Sequence, residues 1–480
     1  MKENNIFSKV LLDGTLLETT YNPVEQETWL AVYKDGEAEL KEKYTANKGI
    51  EYTPVPPTND LLNKSFVRVA SAITSYSGGD YGLFQEIYDF ISKYMKLPAD
   101  FLTVSTVYVM LSWLHDSFNT LPYLRVVGTY GTGKSRFLQI MASLCHKSML
   151  AGGSITTAGV FRTTDIVQGT LVFDEADFKA SEMWSEIIKI LNSGHTKGTP
   201  VIRMESNKAD GSFKTKAFDV YGPKVLASRE RFSDQALESR CLTAQLLPLK
   251  HLSVPIHLDK EFETKGEELR NKLLAFRFCN FHKIKADENT LEGLSFPRLK
   301  QSALALTSVA SIIGKEVLMT VLRFLQEYEN DLGINQRNDI KADILECIIE
   351  LVKIDHISLD ENQRPSRGIY MKDISDKFTT KYYDEYTDMP DRSNTDGVIS
   401  YRNGAVSAKR IGTYIGKLGI RKAHDSRGFY IPLPQELKTI EALANRYGLE
   451  TSWNENGQTD KISPPPIKDK DTINADDIPF

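Results

Sequence analysis

The sequence predicts an α/β fold built around a phosphate-binding loop, and three observations lead to this prediction. Between residues 123 and 248, short apolar strands alternate with helices, which is typical of a parallel sheet. The run LRVVGTYGTGKSRFL places Gly-x-x-x-x-Gly-Lys-Ser, residues 128–135, between a predicted strand and a predicted helix. The run TLVFDEADF ends a second buried strand in Asp174 and Glu175.

Bulk composition narrows the class of protein. The 480 residues are 41% hydrophobic and 26% charged, as in soluble globular proteins, and the formal net charge is −5. Four widely spaced cysteines predict reduced thiols, a cytoplasmic location and no zinc site. The chain has no apolar run of bilayer length and no signal-peptide pattern, so we expect no membrane partner.

Changes in pattern divide the chain into five segments. They are a small, partly β segment of unknown role (1–80), a helical lead followed by the P-loop core (81–250), an all-helical unit (251–335), a compact C-terminal unit (336–434) and a flexible proline-containing tail (435–480).

The glycine loop predicts a nucleotide site. Glycines let main-chain N–H groups surround a phosphate chain at the start of a helix, whose dipole favours the negative charge. The predicted cradle comprises Gly128, Thr129, Tyr130, Gly131, Thr132, Gly133, Lys134, Ser135 and Arg136. We expect ATP with Mg²⁺, with Lys134 on the β- and γ-phosphates and Ser135 on the metal. The alternative is a chance glycine loop.

The two carboxylates after the second strand extend this prediction to hydrolysis. Asp174 is expected beside Mg²⁺, and Glu175 is expected to act as the base that activates an attacking water. The alternative is a pair of acids that cap a helix at a strand–helix junction.

A basic hairpin is predicted at residues 201–218, VIRMESNKADGSFKTKAF. Two alternating runs flank a turn, and four basic residues against two acidic ones give a local charge of +2. Lys208 lies at the turn, and Lys214 and Lys216 share one face of the second strand because side chains alternate. Phe213 and Phe218 are expected to anchor the hairpin in the core.

Taken together, the glycine loop, the Asp-Glu pair, the hairpin, the strand KVLAS and the run ALESRCL resemble the AAA+ ATPases. More narrowly, they look like MCM-like replication helicases of phages and bacterial mobile genetic elements. The resemblance covers 123–330 well, the C-terminal part moderately and 1–80 not at all. It implies a helical lid at 251–335 and a ring-shaped homo-oligomer, a hexamer, that hydrolyses ATP to unwind DNA.

The resemblance also implies roles for single residues. Arg240, in ESRCL, corresponds to an arginine finger that reaches the γ-phosphate bound by a neighbouring subunit. Ser228 corresponds to sensor 1, although the family usually has Asn there and Arg229 or Glu230 could take that position instead. Arg298 corresponds to sensor 2. The alternatives are a surface salt bridge for Arg240 and an ordinary exposed helix arginine for Arg298.

In this family the hairpin points into the pore of the ring. The resemblance implies that Lys208, Lys214 and Lys216 contact phosphates of a single strand without reading its sequence. The alternative is a solvated edge hairpin with protective lysines.

The run AVSAKRIGTYIGKLGIRKAHDSRGFYIPL resembles the end of a winged-helix domain. Ser407 can cap the helix, HDSRG forms the wing, and six basic residues against one acidic residue give 407–428 a charge of +5. Duplex DNA is the expected partner, although such a domain can equally bind protein or pack on its neighbour. The predicted contacts are Lys409, Arg410, Lys417, Arg421 and Lys422.

The last residues, NADDIPF, resemble the C-terminal tip of bacterial single-stranded-DNA-binding protein (SSB). The tip residues are Asp476, Asp477, Ile478, Pro479 and Phe480. The resemblance implies that host proteins that bind SSB tails take the Phe ring in an apolar pocket and the carboxylates on a basic rim. The alternative is an ordinary solvated tail.

Two other functions are open on the sequence. One is an AAA+ replication initiator or loader that binds DNA and uses ATP as a switch without unwinding. The other is an AAA+ protein remodeller, whose pore loops usually present an aromatic residue that Lys208-Ala209-Asp210 lacks.

Overall fold

The computed structural model describes residues 4–152, 155–174, 182–206, 213–232, 234–248, 254–337, 340–355, 368–386, 407–433 and 435–451. It confirms a mixed α/β protein. The chain divides into two compact units, with the boundary between Glu329 and Asn330. The predicted positions of Glu175, Lys208 and the tip 476–480 lie outside the described residues.

The segment 4–68 contains two small sheets, one short helix and the strand β8. Its elements are β1 (Asn4–Ile6), β2 (Ser8–Val10), β3 (Leu16–Asn22), β4 (Glu27–Lys34), β5 (Glu37–Lys41), β6 (Tyr44–Ala46), β7 (Ile50–Pro54), α1 (Asp60–Asn63) and β8 (Val67–Arg68). Strands β2 to β5 form an antiparallel sheet in chain order, and β7 pairs with both β1 and β6.

The central part of the first unit alternates helices and strands. Its elements are α2 (Gly79–Tyr94), α3 (Ala99–Leu114), β9 (Tyr123–Val127), α4 (Lys134–Leu144), β10 (Ser148–Ala151), α5 (Thr157–Val167), β11 (Leu171–Phe173), α6 (Glu182–Ser193), β12 (Val201–Ser206), β13 (Phe213–Phe218), β14 (Lys224–Ser228), α7 (Gln235–Glu238) and β15 (Cys241–Gln245).

Five of these strands join β8 in one six-stranded sheet, in the order β15-β9-β14-β11-β10-β8. The first five are parallel, and β8 pairs antiparallel with β10 at the edge. All residues of β9, β11 and β14 are buried, as expected for parallel strands covered on both faces. Because β8 belongs to the segment 1–80, that segment contributes directly to the central sheet.

Three long helices follow the sheet: α8 (Lys260–Asn280), α9 (Pro297–Ile313) and α10 (Lys315–Arg337). Helix α8 packs on α2, α3 and α4, while α9 packs on α2 and α3. Helix α3 is buried all round from Phe101 to Leu114 and is therefore the central helix of this unit.

A buried ionic cluster ties the N-terminal sheet to these helices. Arg277 on α8 donates from Nη1 and Nη2 to the carboxylate of Asp116 at 2.7 and 2.6 Å. Its Nε lies 2.8 Å from Glu18 Oε1 on β3 as an ion pair, without the alignment of a hydrogen bond. The other Glu18 oxygen contacts His146 Nε2 at 3.1 Å. Burial opposes the charge on Asp116, but Arg277 outweighs it and holds the pKa of Asp116 below its usual range.

The second unit is built from helices around a small sheet. Its elements are α11 (Ile340–Asp355), β16 (Gly368–Tyr370), α12 (Met371–Tyr386), α13 (Ala408–Lys417), β17 (Ala423–Asp425), β18 (Gly428–Pro432) and α14 (Leu437–Tyr447). The antiparallel sheet has the order β16-β18-β17, and aliphatic side chains from all four helices form its core.

Helix α14 lies where the sequence predicted the beginning of the flexible tail, so the boundary at 435 is wrong. Its residues Ile440, Leu443, Ala444 and Tyr447 recur at helical spacing and are buried in the core of the second unit. The second unit therefore continues to at least residue 447.

None of the helices within the described ranges has both the length and the apolar character needed to cross a membrane.

Candidate functional site

The glycine loop connects β9 to α4 and requires glycine at three positions. Gly131 and Gly133 have φ angles of 78° and 90°, in the left-handed region that glycine favours. A Cβ on Gly128 would lie 2.5 Å from Thr132 Oγ1 and 2.9 Å from the carbonyl oxygen of Leu246. Any side chain at 128 would therefore push the loop apart.

Lys134 closes the loop from the first turn of α4. Its Nζ donates to the carbonyl oxygens of Gly128 at 2.7 Å and Thr129 at 2.8 Å. Ser135 is exposed beside it, and the Tyr130 side chain is 97% exposed. The loop thus combines a cation, a hydroxyl and a helix N-terminus in one place, which is the donor set that a phosphate chain requires.

A cavity of ≈ 470 Å³ opens next to the loop. Its walls come from residues 94–98 between α2 and α3, from the glycine loop and from 245–247 and 254–256. Arg136, predicted to hold the nucleotide, donates to the carbonyls of Pro255 and Ile256 and so lines this cavity. No sequence pattern indicates the cavity, because its walls come from separate stretches spread between residues 94 and 256.

The carboxyl edge of the sheet brings Asp174 and Ser228 to the side of the loop. Strand β14 lies between β9 and β11, and Asp174 follows β11 directly, half-buried, with its amide donating to Ala151 at 2.9 Å. Neighbouring strands are about 4.8 Å apart, so β11 lies roughly 10 Å from β9.

Ser228 braces the loop through its main chain. Its carbonyl accepts from the Gly128 amide at 3.2 Å, while its hydroxyl donates to Glu230 at 2.7 Å and the residue is 1% exposed. To contact nucleotide as sensor 1, the Ser228 hydroxyl would first have to break its bond to Glu230. Arg229, the alternative residue for sensor 1, is exposed.

Arg240 lies at the amino ends of the parallel strands, opposite to the glycine loop. It immediately precedes β15, and Cys241 pairs with Tyr123 at the amino end of β9, whereas the loop follows the carboxyl end. Its guanidinium Nε donates to His195 Nδ1 at 3.0 Å, and Nη1 donates to the carbonyl of Ala236. Burial lowers the pKa of Arg240, and the positive charge of Arg298 lowers it further. The structure therefore brings Arg240 and Arg298 together, away from the loop of their own chain.

The basic hairpin is formed by β12 and β13 in antiparallel register. Lys214 and Lys216 are exposed and share one face with their cross-strand partners Glu205 and Arg203. Glu205 pairs with Arg162 at 2.5 Å.

The two phenylalanines of the hairpin behave differently. Phe218 is 1% exposed and packs on Phe161, with ring centroids 4.7 Å apart, so its predicted anchoring is confirmed. Phe213 is 70% exposed, so the same prediction for it is wrong. It opposes Ser206 on the other face of the ribbon, together with exposed Ile202 and Met204.

In the second unit, basic side chains surround α13. Lys409 and Lys417 are exposed, whereas Ile411 and Ile415 on the other side of the helix are buried. Lys422 donates to the Gly412 carbonyl at 2.7 Å and so lies across the helix. Of the other predicted contacts, Arg421 is exposed and Arg410 is half-buried.

Comparison with known proteins found only distant likeness. No family model and no curated protein matches the chain. Among solved structures, the apo C-terminal region of NrS-1 matches with a TM-score of 0.34 and 10% identity, over 86% of this chain and 95% of that one. An MCM homolog from Methanopyrus kandleri matches at 0.38 and 13%, over 64% and 69%. The SCCmec type IV Cch helicase matches at 0.39 and 10%, over 94% and 81%. With TM-scores this low, function has to be inferred from the chain's own residues.

Proposed function

We propose that this protein is an ATP-driven DNA helicase that works as a ring-shaped homo-oligomer, a hexamer, of the AAA+ class. The observation that most directly supports this proposal is the glycine loop, which Lys134 closes at the carboxyl edge of a parallel sheet. Asp174 lies two strands away at the same edge. This placement suits hydrolysis of a nucleoside triphosphate.

The residues at this edge fit ATP and Mg²⁺. The cradle leaves room only for glycine at Gly128, and the apolar cavity beside it suits a base. Ser135 and Asp174 supply the hard oxygen ligands that Mg²⁺ prefers, and the metal would neutralise charge on the phosphates. Lys134 would exchange its carbonyl partners for phosphate oxygens. Glu175 would accept the proton of the attacking water.

The position of Arg240 supports a composite site. Because it lies at the amino end of the strands, away from the loop of its own chain, it would serve the nucleotide of a second copy. Arg298 would act with it as sensor 2. A monomer would then hold nucleotide but hydrolyse it poorly, and assembly would restore the rate.

DNA contact is assigned to two surfaces. Exposed Lys214 and Lys216, with Lys208, would grip the phosphates of one strand in the pore. From α11 to β18 the second unit has the order helix–strand–helix–helix–strand–strand, as in winged-helix domains, and α14 follows. This unit would place α13 against duplex with the β17–β18 turn as the wing. Its contacts would be Lys409, Arg410, Lys417, Arg421 and Lys422.

The tip 476–480 would recruit host proteins that bind SSB tails, and the protein would serve replication of a phage or mobile element in the cytoplasm. Deleting Phe480 is expected to abolish binding to such a host protein, because the ring and the terminal carboxylate carry the contact. Equal binding by the deleted form would contradict this assignment.

One observation favours a second candidate function, protein remodelling. Exposed Phe213 supplies the aromatic residue that a protein remodeller needs near the end of its hairpin. ATPase activity stimulated by unfolded polypeptide and not by DNA would favour remodelling.

Strand displacement tests the helicase. We expect the protein to separate a forked duplex with ATP, and expect Glu175→Gln and Lys208→Ala to abolish separation while nucleotide binding persists. DNA-stimulated ATP hydrolysis without separation would instead favour an initiator or loader.

A further inference from the structure

We infer that His195 is the positioning residue for the Arg240 finger, fixing the guanidinium that would complete hydrolysis at the site of a neighbouring copy. This role rests on the proposed composite site, and His195 lies outside all of the sequence motifs. Arg240 Nε donates to His195 Nδ1 at 3.0 Å.

This contact fixes the tautomer of the imidazole. The Nε–H of arginine is always a donor, so Nδ1 has to accept and carries no proton. The proton then lies on Nε2, which donates to Thr196 Oγ1 at 3.1 Å. The Asn192 carbonyl, 3.1 Å from Nδ1, is therefore a close neighbour and not an acceptor for this ring atom. Burial, and then the charge of Arg240, lower the pKa of His195 to about 4, so the ring is neutral near pH 7.

The main chain holds His195 firmly. Its carbonyl accepts from the Leu121 amide at 2.9 Å. The buried Lys224 donates from Nζ to the carbonyls of Gly194, Val220 and Gly222 at 3.1, 2.9 and 2.9 Å, which secures the turn that His195 follows. An imidazole on such a turn can orient a guanidinium with little freedom of its own.

Arg240 is only 8% exposed, and its Nε and Nη1 are bonded within the chain, so Nη2 is the nitrogen that would meet an outside partner. Within the described ranges, Arg240 has no carboxylate at ion-pair distance; its acceptors are the neutral His195 and the Ala236 carbonyl. A second arginine, Arg298, is near enough to lower its pKa. The carboxylate of Asp234 acts in the other direction and raises the pKa of Arg240 without an ion pair, so the two arginines would still attract an incoming anion such as a phosphate bound by another copy. His195 also lies between α6 and β12, so the finger and the base of the hairpin share one support.

Mixed oligomers test the inference with the full chain. His195→Leu removes the acceptor and is expected to lower the ATPase kcat about 10²-fold, the cost of a misplaced catalytic group. Nucleotide affinity should stay unchanged, because the loop of the same chain is far from this edge. His195→Asn, whose Oδ1 can replace Nδ1 as acceptor, should recover most of the rate.

The mixing partners distinguish positioning from general support. Mixed with Lys134→Ala, which has a normal finger but no functional loop, His195→Leu should regain activity. Mixed with Arg240→Ala, which has the same half of the site damaged, it should not. Thr196→Val removes the partner of Nε2 and should lower kcat by about 10-fold, with the same response to the two mixing partners. This variant takes the place of His195→Leu if the latter folds poorly.

Two results would overturn the inference. If Arg240→Ala is rescued by Lys134→Ala but neither His195→Leu nor Thr196→Val is, His195 does not act through Arg240, while the composite site survives. If Arg240→Ala is not rescued either, the composite site itself fails, and the role of His195 fails with it.

Discussion

The side chains of Glu18 on β3 and Arg277 on α8 are 2.8 Å apart, and their exposures are only 4% and 1%. They are separated by most of the first unit in sequence. Arg277 also binds Asp116, so one guanidinium joins the N-terminal sheet to the end of α3. Burial raises the pKa of Glu18, while the positive charges of Arg277 and Lys147 act to lower it.

Removing one partner of this pair should destabilise the first unit. Glu18→Gln keeps the shape but leaves part of a buried guanidinium uncompensated, so we expect a loss of about 3 kcal/mol in the free energy of unfolding. Urea denaturation measures it. The matched control is Asp100→Asn, which breaks the more exposed pair with Arg323 and should cost about 0–1 kcal/mol. Equal losses would mean that the buried pair contributes nothing special.

Acid should weaken the fold well before the carboxylates titrate. Burial is the largest cause that lowers the pKa of His115 and of His195, each to about 4, against an ordinary value of 6.5. Between these values the unfolded chain binds protons that the folded chain cannot, so the stabilising contribution is complete above pH 6.5 and is lost as the pH falls toward 4. Urea midpoints measured at pH 7 and pH 5 should differ, with the lower midpoint at pH 5. Identical midpoints would contradict the buried neutral histidines.

Gly128→Ala should abolish nucleotide binding. The added methyl would meet Thr132 and the carbonyl of Leu246 at distances that real Cβ atoms do not adopt, so the loop would have to open. Fluorescent nucleotide titration measures the loss. The control is Gly266→Ala on α8, where the nearest contact would be an ordinary 3.5 Å and alanine favours the helix. Normal binding by Gly128→Ala would refute the assignment of this loop as the phosphate cradle.

The hairpin lysines should carry part of the salt dependence of single-strand binding. Replacing Lys214 and Lys216 together by alanine should weaken binding to any sequence alike. It should also reduce the slope of log K against log salt by about 0.7 for each phosphate that the protein no longer neutralises. Lys265→Ala on α8 removes a charge already paired with Glu268 and serves as the control. An unchanged slope in the double variant would place DNA elsewhere.

Sequence patterns predicted the glycine loop and the carboxyl edge of the sheet better than their surroundings. The loop at 128–135 and the strand ending at Asp174 could be predicted because spacing and local apolar runs define them. The contact of Arg240 with His195 and the pair Glu18–Arg277 join residues far apart in the chain, and single-sequence patterns contain no such distances. Aromatic character alone assigns Phe213 to the core, but its place in the register puts it on the outer face of the ribbon.

The short strand β8 has a consequence for any attempt to trim the protein. It pairs with β10 and so occupies the outer edge of the central sheet. A chain beginning after residue 80 would leave that edge with unpaired amides and carbonyls, which promote association between sheets of different chains. It would also leave Arg277 without Glu18. We therefore expect removal of residues 1–80 to give aggregates rather than a shorter folded protein.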